Sequence, residues 1–444
     1  MNKVISNASW IILCRIIQSL LALFINIFTA RYLGPSNFGI ITYAASLVAF
    51  VMPISLLGYE NVLVKELIDA PENEGAIIGT TTFLSLVSSL FCIISITLLS
   101  LALNKDSKIT TIVCLLYSFV LLFYAFDLVR FWFQSKYLAK YTSTISLFAY
   151  LIVSGYKIYL LVYQKNVIWF AISNSFDYAI ITLLSLFFYY KKGGKRLSIS
   201  LKIGKDIFSR SKHYIISSMM VTVFAQTDKI MINSMIDESA TGYYGAAVAS
   251  AGFSTFFFVA VLDSLRPYVL EGKHIDNNTF EKRMTLLYSI IIYCSLAQSV
   301  LTAFFSNQII KYLYGDAYTP AISALQIVVW YSTFSYLGAA RNIWILANNQ
   351  QHYLWLINMS GAIANVILNL LLIPSFGICG AAFASLITQF FTNVIIGYII
   401  KALIPNNKIM LKSLNPVILL NAFSSFHFCK FSLRVQRGPR GPSD

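Results

Sequence analysis

The strongest constraint on this chain is a recurrence: apolar blocks of roughly twenty or more residues follow one another along its length, separated by short charged connections. A helix of that length crosses a hydrocarbon core of about 30 Å. Hydrocarbon offers no partner to backbone N–H and C=O groups, so a spanning segment is either a helix or a strand of a closed barrel. Continuous apolar runs without period-two alternation exclude the barrel. Composition agrees: 57% of the 444 residues are hydrophobic and 11% are charged, against about a quarter charged in soluble domains. The expected fold class is therefore all-α and integral to the membrane, with about twelve helices.

The predicted spans are 9–30, 38–59, 76–103, 109–133, 142–163, 167–190, 213–236, 243–265, 284–306, 320–340, 353–374 and 378–403. Trp10–Ala30 is too long for the apolar stretch of a cleavable signal and lacks a small-residue cleavage site, so it reads as helix one, with the chain starting near Met1. The longest predicted connections are 191–212 and 266–283. Cys14, Cys92, Cys114, Cys294, Cys379 and Cys429 are scattered singly, and the four histidines have no Cys or carboxylate at ligand spacing. Neither disulfides, a metal centre nor a cofactor is expected.

Orientation follows from Lys and Arg, which short cytoplasmic connections retain. With the N-terminus inside, 25 of the 33 fall in cytoplasmic segments and 5 in outside loops, while Arg15, Lys157 and Lys229 fall within spans. The net charge of +15 is thus a topology signal, and nucleic acid is not an expected partner. Both ends of the main body are predicted to be cytoplasmic. The apolar run 416–429 is too short for a comfortable span, and the low-complexity end after it looks foreign to the rest. Residues 406–444 are accordingly set apart as an atypical tail.

The basic connection 191–212 falls near the middle, which suggests two lobes of six helices, 1–200 and 201–405. A weak internal echo supports duplication: Gly39-Ile-Ile-Thr-Tyr-Ala-Ala-Ser opens helix two, and Gly242-Tyr-Tyr-Gly-Ala-Ala-Val-Ala opens helix eight. Six helices per lobe give the lobes the same orientation.

Several segments carry a family resemblance. They are Ala30-Arg31-Tyr32-Leu33-Gly34-Pro35-Ser36-Asn37-Phe38-Gly39, Gln226-Thr227-Asp228-Lys229-Ile230, Gly242 to Ala247, Leu313-Tyr314-Gly315-Asp316-Ala317-Tyr318, Asn365 to Asn369, and Ile373 to Ala382. Over residues 1 to about 415, in this order, the chain resembles the polysaccharide exporters of the multidrug/oligosaccharidyl-lipid/polysaccharide superfamily, particularly Wzx-type O-antigen flippases. The resemblance implies a MATE-like fold of two six-helix lobes in the bacterial inner membrane. It implies transfer of an undecaprenyl-diphosphate-linked sugar repeat unit from the inner to the outer leaflet. Membrane lipids, polysaccharide polymerase and chain-length proteins are the further partners it suggests.

The motif at Arg31 has a physical reading of its own. Gly34 and Pro35 break helix one at the interface, and Gly39 allows close packing where helix two begins. Arg31 reads first as an interfacial side chain snorkelling to phosphates.

Charges inside spans are costly, about 2.5–3.5 kcal/mol on the lenient insertion scale, so they face a wet interior or a partner. For Arg15 and Lys157, joined by Lys229, a cationic lumen holding a diphosphate is preferred over ion pairs with acidic neighbours. Asp228 and Lys229 are adjacent and point about 100° apart. For Asp228 a coupling-ion role competes with a structural ion pair, which is preferred, and Asp177 is the alternative proton or sodium site. Asp127 and Arg130, three residues apart, are expected to pair. Tyr318 is either a substrate contact or a loop cap.

The expected function is a flippase. The alternatives are an ion-coupled drug antiporter of the same fold and, less favoured, a polysaccharide polymerase or lipid-linked glycosyltransferase. No nucleophile–base arrangement or nucleotide motif is evident for an enzyme.

Overall fold

The computed structural model describes residues 2–105 and 107–417. Every regular element among them is helical. The first half holds α1 (Asn2–Ser55), α2 (Leu63–Asp69), α3 (Glu74–Leu103), α4 (Lys108–Ser118), α5 (Val120–Asp127), α6 (Arg130–Ser135), α7 (Ala139–Val162) and α8 (Val167–Lys191). The second holds α9 (Leu201–Met235), α10 (Glu238–Ala251), α11 (Thr255–Ile275), α12 (Asn277–Phe304), α13 (Ser306–Tyr314), α14 (Ala321–Ala347), α15 (Leu354–Phe390), α16 (Ile396–Ile399) and α17 (Ile404–Lys412). Among the described residues nine helical stretches are long and apolar enough to cross a membrane, which makes the chain a multi-pass membrane protein. The end of the apolar run 416–429, from residue 418, and everything after it lie outside the described residues.

The two longest of those stretches, of 43 and 49 residues, are each broken by a glycine. In α1 the break is Gly34, at φ 73° and ψ 172°; in α15 it is Gly377, at φ 56° and ψ −137°. Such backbone belongs to glycine, whose missing Cβ removes the clash that other residues meet there. Residues 22–29 and 38–49, before and after Gly34, line one cavity. At Gly377 the chain folds back so tightly that a Cβ on Gly380 would overlap the Leu372 carbonyl.

The two long connections expected from polarity are corrected. Only residues 192–200 are non-helical in the first, and the second is helical except at Asp276. Polarity ends a membrane span without ending a helix, and a cap is enough to start the next one. Ser200 accepts from the Ile203 amide at 3.5 Å, and Asp276 from the Thr279 amide at 2.7 Å. For the same reason α14 runs past 340 and carries Arg341, expected in a connection, into the protein interior at 5% exposure.

The core is divided unequally. Two buried clusters lie mainly in the first half, one around Tyr43, Cys114 and Phe170 and one around Tyr59, Trp132 and Tyr189 that Ile207 of α9 joins, with a small third at Ile145, Ala149 and Ile181. Another, around Phe258, Tyr288 and Trp344, belongs to the second half. A further cluster joins Ile27, Ala30 and Phe38 to Tyr244, Tyr314, Tyr318 and Ile373. That shared cluster sits at the end of the bundle where the Gly34 turn lies, here the first-turn end.

Candidate functional site

The halves meet at the first-turn end through backbone. A Cβ on Gly39 would overlap the Glu238 carbonyl, one on Gly242 the Pro35 carbonyl, and one on Gly245 would stand 2.9 Å from the Thr42 methyl. The two echoed segments of the sequence thus lie against each other, α1 crossing α10. Polar bridges reinforce the contact: Tyr318 OH donates to the Ala30 carbonyl at 2.8 Å, Thr110 Oγ1 to Glu238 Oε1 at 3.0 Å, and Asn233 Nδ2 to Asn104 Oδ1 at 2.9 Å. Arg31 donates to the Tyr312 carbonyl at 3.4 Å. Of the two readings of Tyr318, the fully buried side chain with this bond fits the cap and not a substrate contact.

Beneath this closed end lies a central cavity of about 560 Å³ shared by both halves. Lys157 of α7 and Lys229 of α9 both line it, and Lys229 Nζ donates to Gln226 Oε1 at 3.1 Å. A second cavity of about 600 Å³, within the first half, contains Arg15, Asp127, Arg130 and Asp177. Ala22, Tyr117, Tyr150 and Asn174 line both, so the two are continuous.

Charge is not spread evenly through this space. Arg130 is matched twice, to Asp127 at 2.9 Å and to Glu60 at 2.5 Å, which contains the expected local pair. Among the described residues no carboxylate lies within ion-pair distance of Arg15, Lys157 or Lys229. Asp177 has one carboxylate oxygen buried without a hydrogen-bond partner. Cations on three different helices therefore face connected open space without counter-charge at contact.

Asp228 turns away from that space into the second half and is 6% exposed. The expected ion pair is corrected: Asp228 has no cation within ion-pair distance among the described residues. Its carboxylate instead accepts from Tyr244 OH at 2.6 Å, from Asn369 Nδ2 at 2.7 Å and from Ser385 Oγ. Asn369 Nδ2 also reaches Asn365 Oδ1 at 3.1 Å, while Asn369 Oδ1 is buried without a donor. A carboxylate, two amide oxygens and two hydroxyls thus converge from α9, α10 and both limbs of α15. Oxygen donors of this kind suit a small hard cation or a proton. Sequence reading marked Asn365 and Asn369 as motif residues without a role; their i, i+4 spacing in an apolar helix is the signal that they share a face with a partner.

Sequence reading missed a pocket of about 260 Å³ in the second half, lined by Arg341, Asn342, Asn358, Gln389 and Asn393 among others. Arg341 was hidden because it stands at the edge of an apolar run, where a charge reads as a boundary.

The architecture is shared with solved membrane proteins. The solved structure of a multidrug resistance MATE family transporter of the MOP superfamily, inward-facing, is similar with TM-score 0.67 and 15% identity, over 89% of this chain and 96% of that one. The lipid II flippase MurJ in an inward closed conformation is similar with TM-score 0.65 and 14% identity, over 93% and 92%. A probable low-salt glycan biosynthesis flippase, Agl15 of Haloferax volcanii, is 26% identical over 191 residues, 42% of this chain. The match spans 40% of that curated relative's length. The family model described as "Polysaccharide biosynthesis protein" matches residues 4–273.

Proposed function

Because the chain belongs to the polysaccharide biosynthesis protein family, we propose that it is a flippase carrying undecaprenyl-diphosphate-linked O-antigen repeat units across the bacterial inner membrane. The observation that supports this most is the connected space bearing Arg15, Lys157 and Lys229 without carboxylates at contact. A diphosphate leaving water needs charge-assisted hydrogen bonds in place of its hydration, and unpaired cations supply them. In this reading the chain crosses the bilayer twelve times, with α1 and α15 each counting twice at their glycine breaks and α14 added to the nine stretches. Lobes 1–200 and 201–405 then rock about a cavity closed at the periplasmic, first-turn end. Asp228 holds the coupling cation or proton, and Asp177 is the second candidate. The polymerase and chain-length proteins are its downstream partners.

A drug antiporter of the same fold remains the competing reading, and the partnerless oxygen of Asp177 is the feature that favours it. The test is export of surface glycan at matched expression in a strain lacking other flippases. Arg15→Ala combined with Lys157→Ala and Lys229→Gln is expected to cut export at least about 10-fold, a change of about 1.4 kcal/mol, and to leave lipid-linked repeat units on the cytoplasmic face. Asp228→Asn should abolish the dependence of export on the cation or proton gradient. Unchanged glycan export in the triple variant would make these cations structural, whereas no glycan export by the unmodified protein, together with its efflux of a cationic dye, would replace the flippase with the antiporter.

A further inference from the structure

The second half holds a charge that the reading above does not use. Arg341 is nine-tenths buried on α14, and its guanidinium cannot shed its proton in a protein. One terminal nitrogen donates to the Thr392 carbonyl at 2.5 Å, while Nε is buried with no partner. Among the described residues no carboxylate stands within ion-pair distance. A permanent charge taken out of water without a counter-charge is the arrangement folded proteins avoid unless a ligand completes it.

The surroundings are built around that charge. The pocket it faces is lined by the amides of Asn342, Asn358, Gln389 and Asn393 and by no acidic residue. Asn393 Nδ2 donates to Gln389 Oε1 at 2.6 Å. That bond takes one of the two lone pairs of the Gln389 oxygen and turns the amide so that its nitrogen is free to donate. Opposite Arg341 the backbone widens into a π-turn over Phe391–Ile395, an irregularity common at functional sites. Two glycines make room for it: a Cβ on Gly338 would overlap the Asn393 amide, and one on Gly361 would come within 2.7 Å of the Thr392 methyl.

We propose that this pocket is an oxyanion site in its own right, binding a phosphate-class group through the Arg341 guanidinium and the facing amides. Its volume of about 260 Å³ is below the roughly 300–1,000 Å³ of pockets that enclose a whole drug-sized ligand. It fits a phosphate or diphosphate and excludes a sugar chain. The simpler account, in which Arg341 merely caps the carbonyl loosened by the π-turn, uses one N–H and leaves Nε, the cavity and the missing acid unexplained. The anion comes either from solution or from the headgroup of a lipid carrier. The second source deepens the flippase reading and rests on it.

The experiment uses the full chain in phosphatidylcholine nanodiscs, in a Lys157→Gln/Lys229→Gln background that removes the central lysines. Inorganic pyrophosphate is titrated by calorimetry and thermal shift. Binding is expected, at least 10-fold weaker in Arg341→Gln and partly restored in Arg341→Lys. Should Arg341→Gln fold poorly, Asn358→Asp decides: the new carboxylate supplies the counter-charge, so the apo protein should melt higher and bind pyrophosphate at least 10-fold more weakly. Nanodiscs containing undecaprenyl phosphate report the source, since competition with pyrophosphate there, but not with phosphatidylglycerol, identifies a carrier headgroup. Absence of competition identifies a soluble anion. Equal pyrophosphate affinity in the parent, Arg341→Gln and Asn358→Asp, or no binding at all, overturns the site. None of these readouts requires transport, so a chain that binds through Arg341 yet exports no glycan keeps the site and loses the flippase.

Discussion

Two glycines five residues apart show how differently one residue type constrains this protein. Gly34 has open space around the position of a Cβ but a backbone at φ 73° and ψ 172°, a region other residues hardly enter. Gly39 has ordinary helical backbone but stands against the Glu238 carbonyl. Gly34→Ala is therefore a purely conformational lesion, expected to cost about 1–3 kcal/mol. It should lower the melting temperature in detergent while leaving the contacts between the halves in place. A melting temperature equal to that of the parent would mean that the turn relaxes to accept a side chain. Asp228 and Lys229 make the companion point about direction. Adjacent on a helix, they serve unconnected surroundings, one a closed network of hydroxyl and amide donors and the other an open cavity.

Gly39 belongs to the scale of elements, because its role is to let α1 and α10 touch. Gly39→Val and Gly242→Val should each hold the two helices apart at the first-turn end. Spin labels at Lys165 and Lys311, on opposite halves and on a cysteine-free background, should then report separations longer by several ångströms. Distances identical to the parent's would show that this crossing does not keep the end closed. The sequence made much of this level readable. Apolar block length gave the helices, and Gly34-Pro35 gave the first turn. The ends of helices were less readable, since hydropathy reports where lipid stops and says nothing of how far hydrogen bonding continues. That is why α9 starts at Leu201, and why α14 carries Arg341 inside. The Asp228 network was unreadable for another reason: its donors come from residues up to 157 positions away, and no local pattern brings them together.

For the whole molecule, the charge asymmetry of the sequence makes a prediction that is independent of any transport assay. Single cysteines at Lys165 and Lys311 should react with an impermeant maleimide added to intact cells, whereas one at Lys195 should react only after the membrane is opened. Labelling of Lys195 from outside would invert the proposed orientation. The division of the core bears on motion. The halves share the Tyr244–Tyr318 cluster at the first-turn end, and Ile207 of α9 joins the Tyr59 cluster at the other, so relative movement pivots at the Gly39–Gly242 crossing and works against the Ile207 contact. That crossing is then a fulcrum near the tip of long rods. The continuous stretch Glu238–Ile275 has 38 residues, roughly 57 Å at helical rise, and a swing of about 10° carries its far tip through roughly 10 Å. Mechanical advantage of this kind lets a sub-ångström adjustment where two backbones touch become an aperture wide enough for cargo at the opposite membrane face.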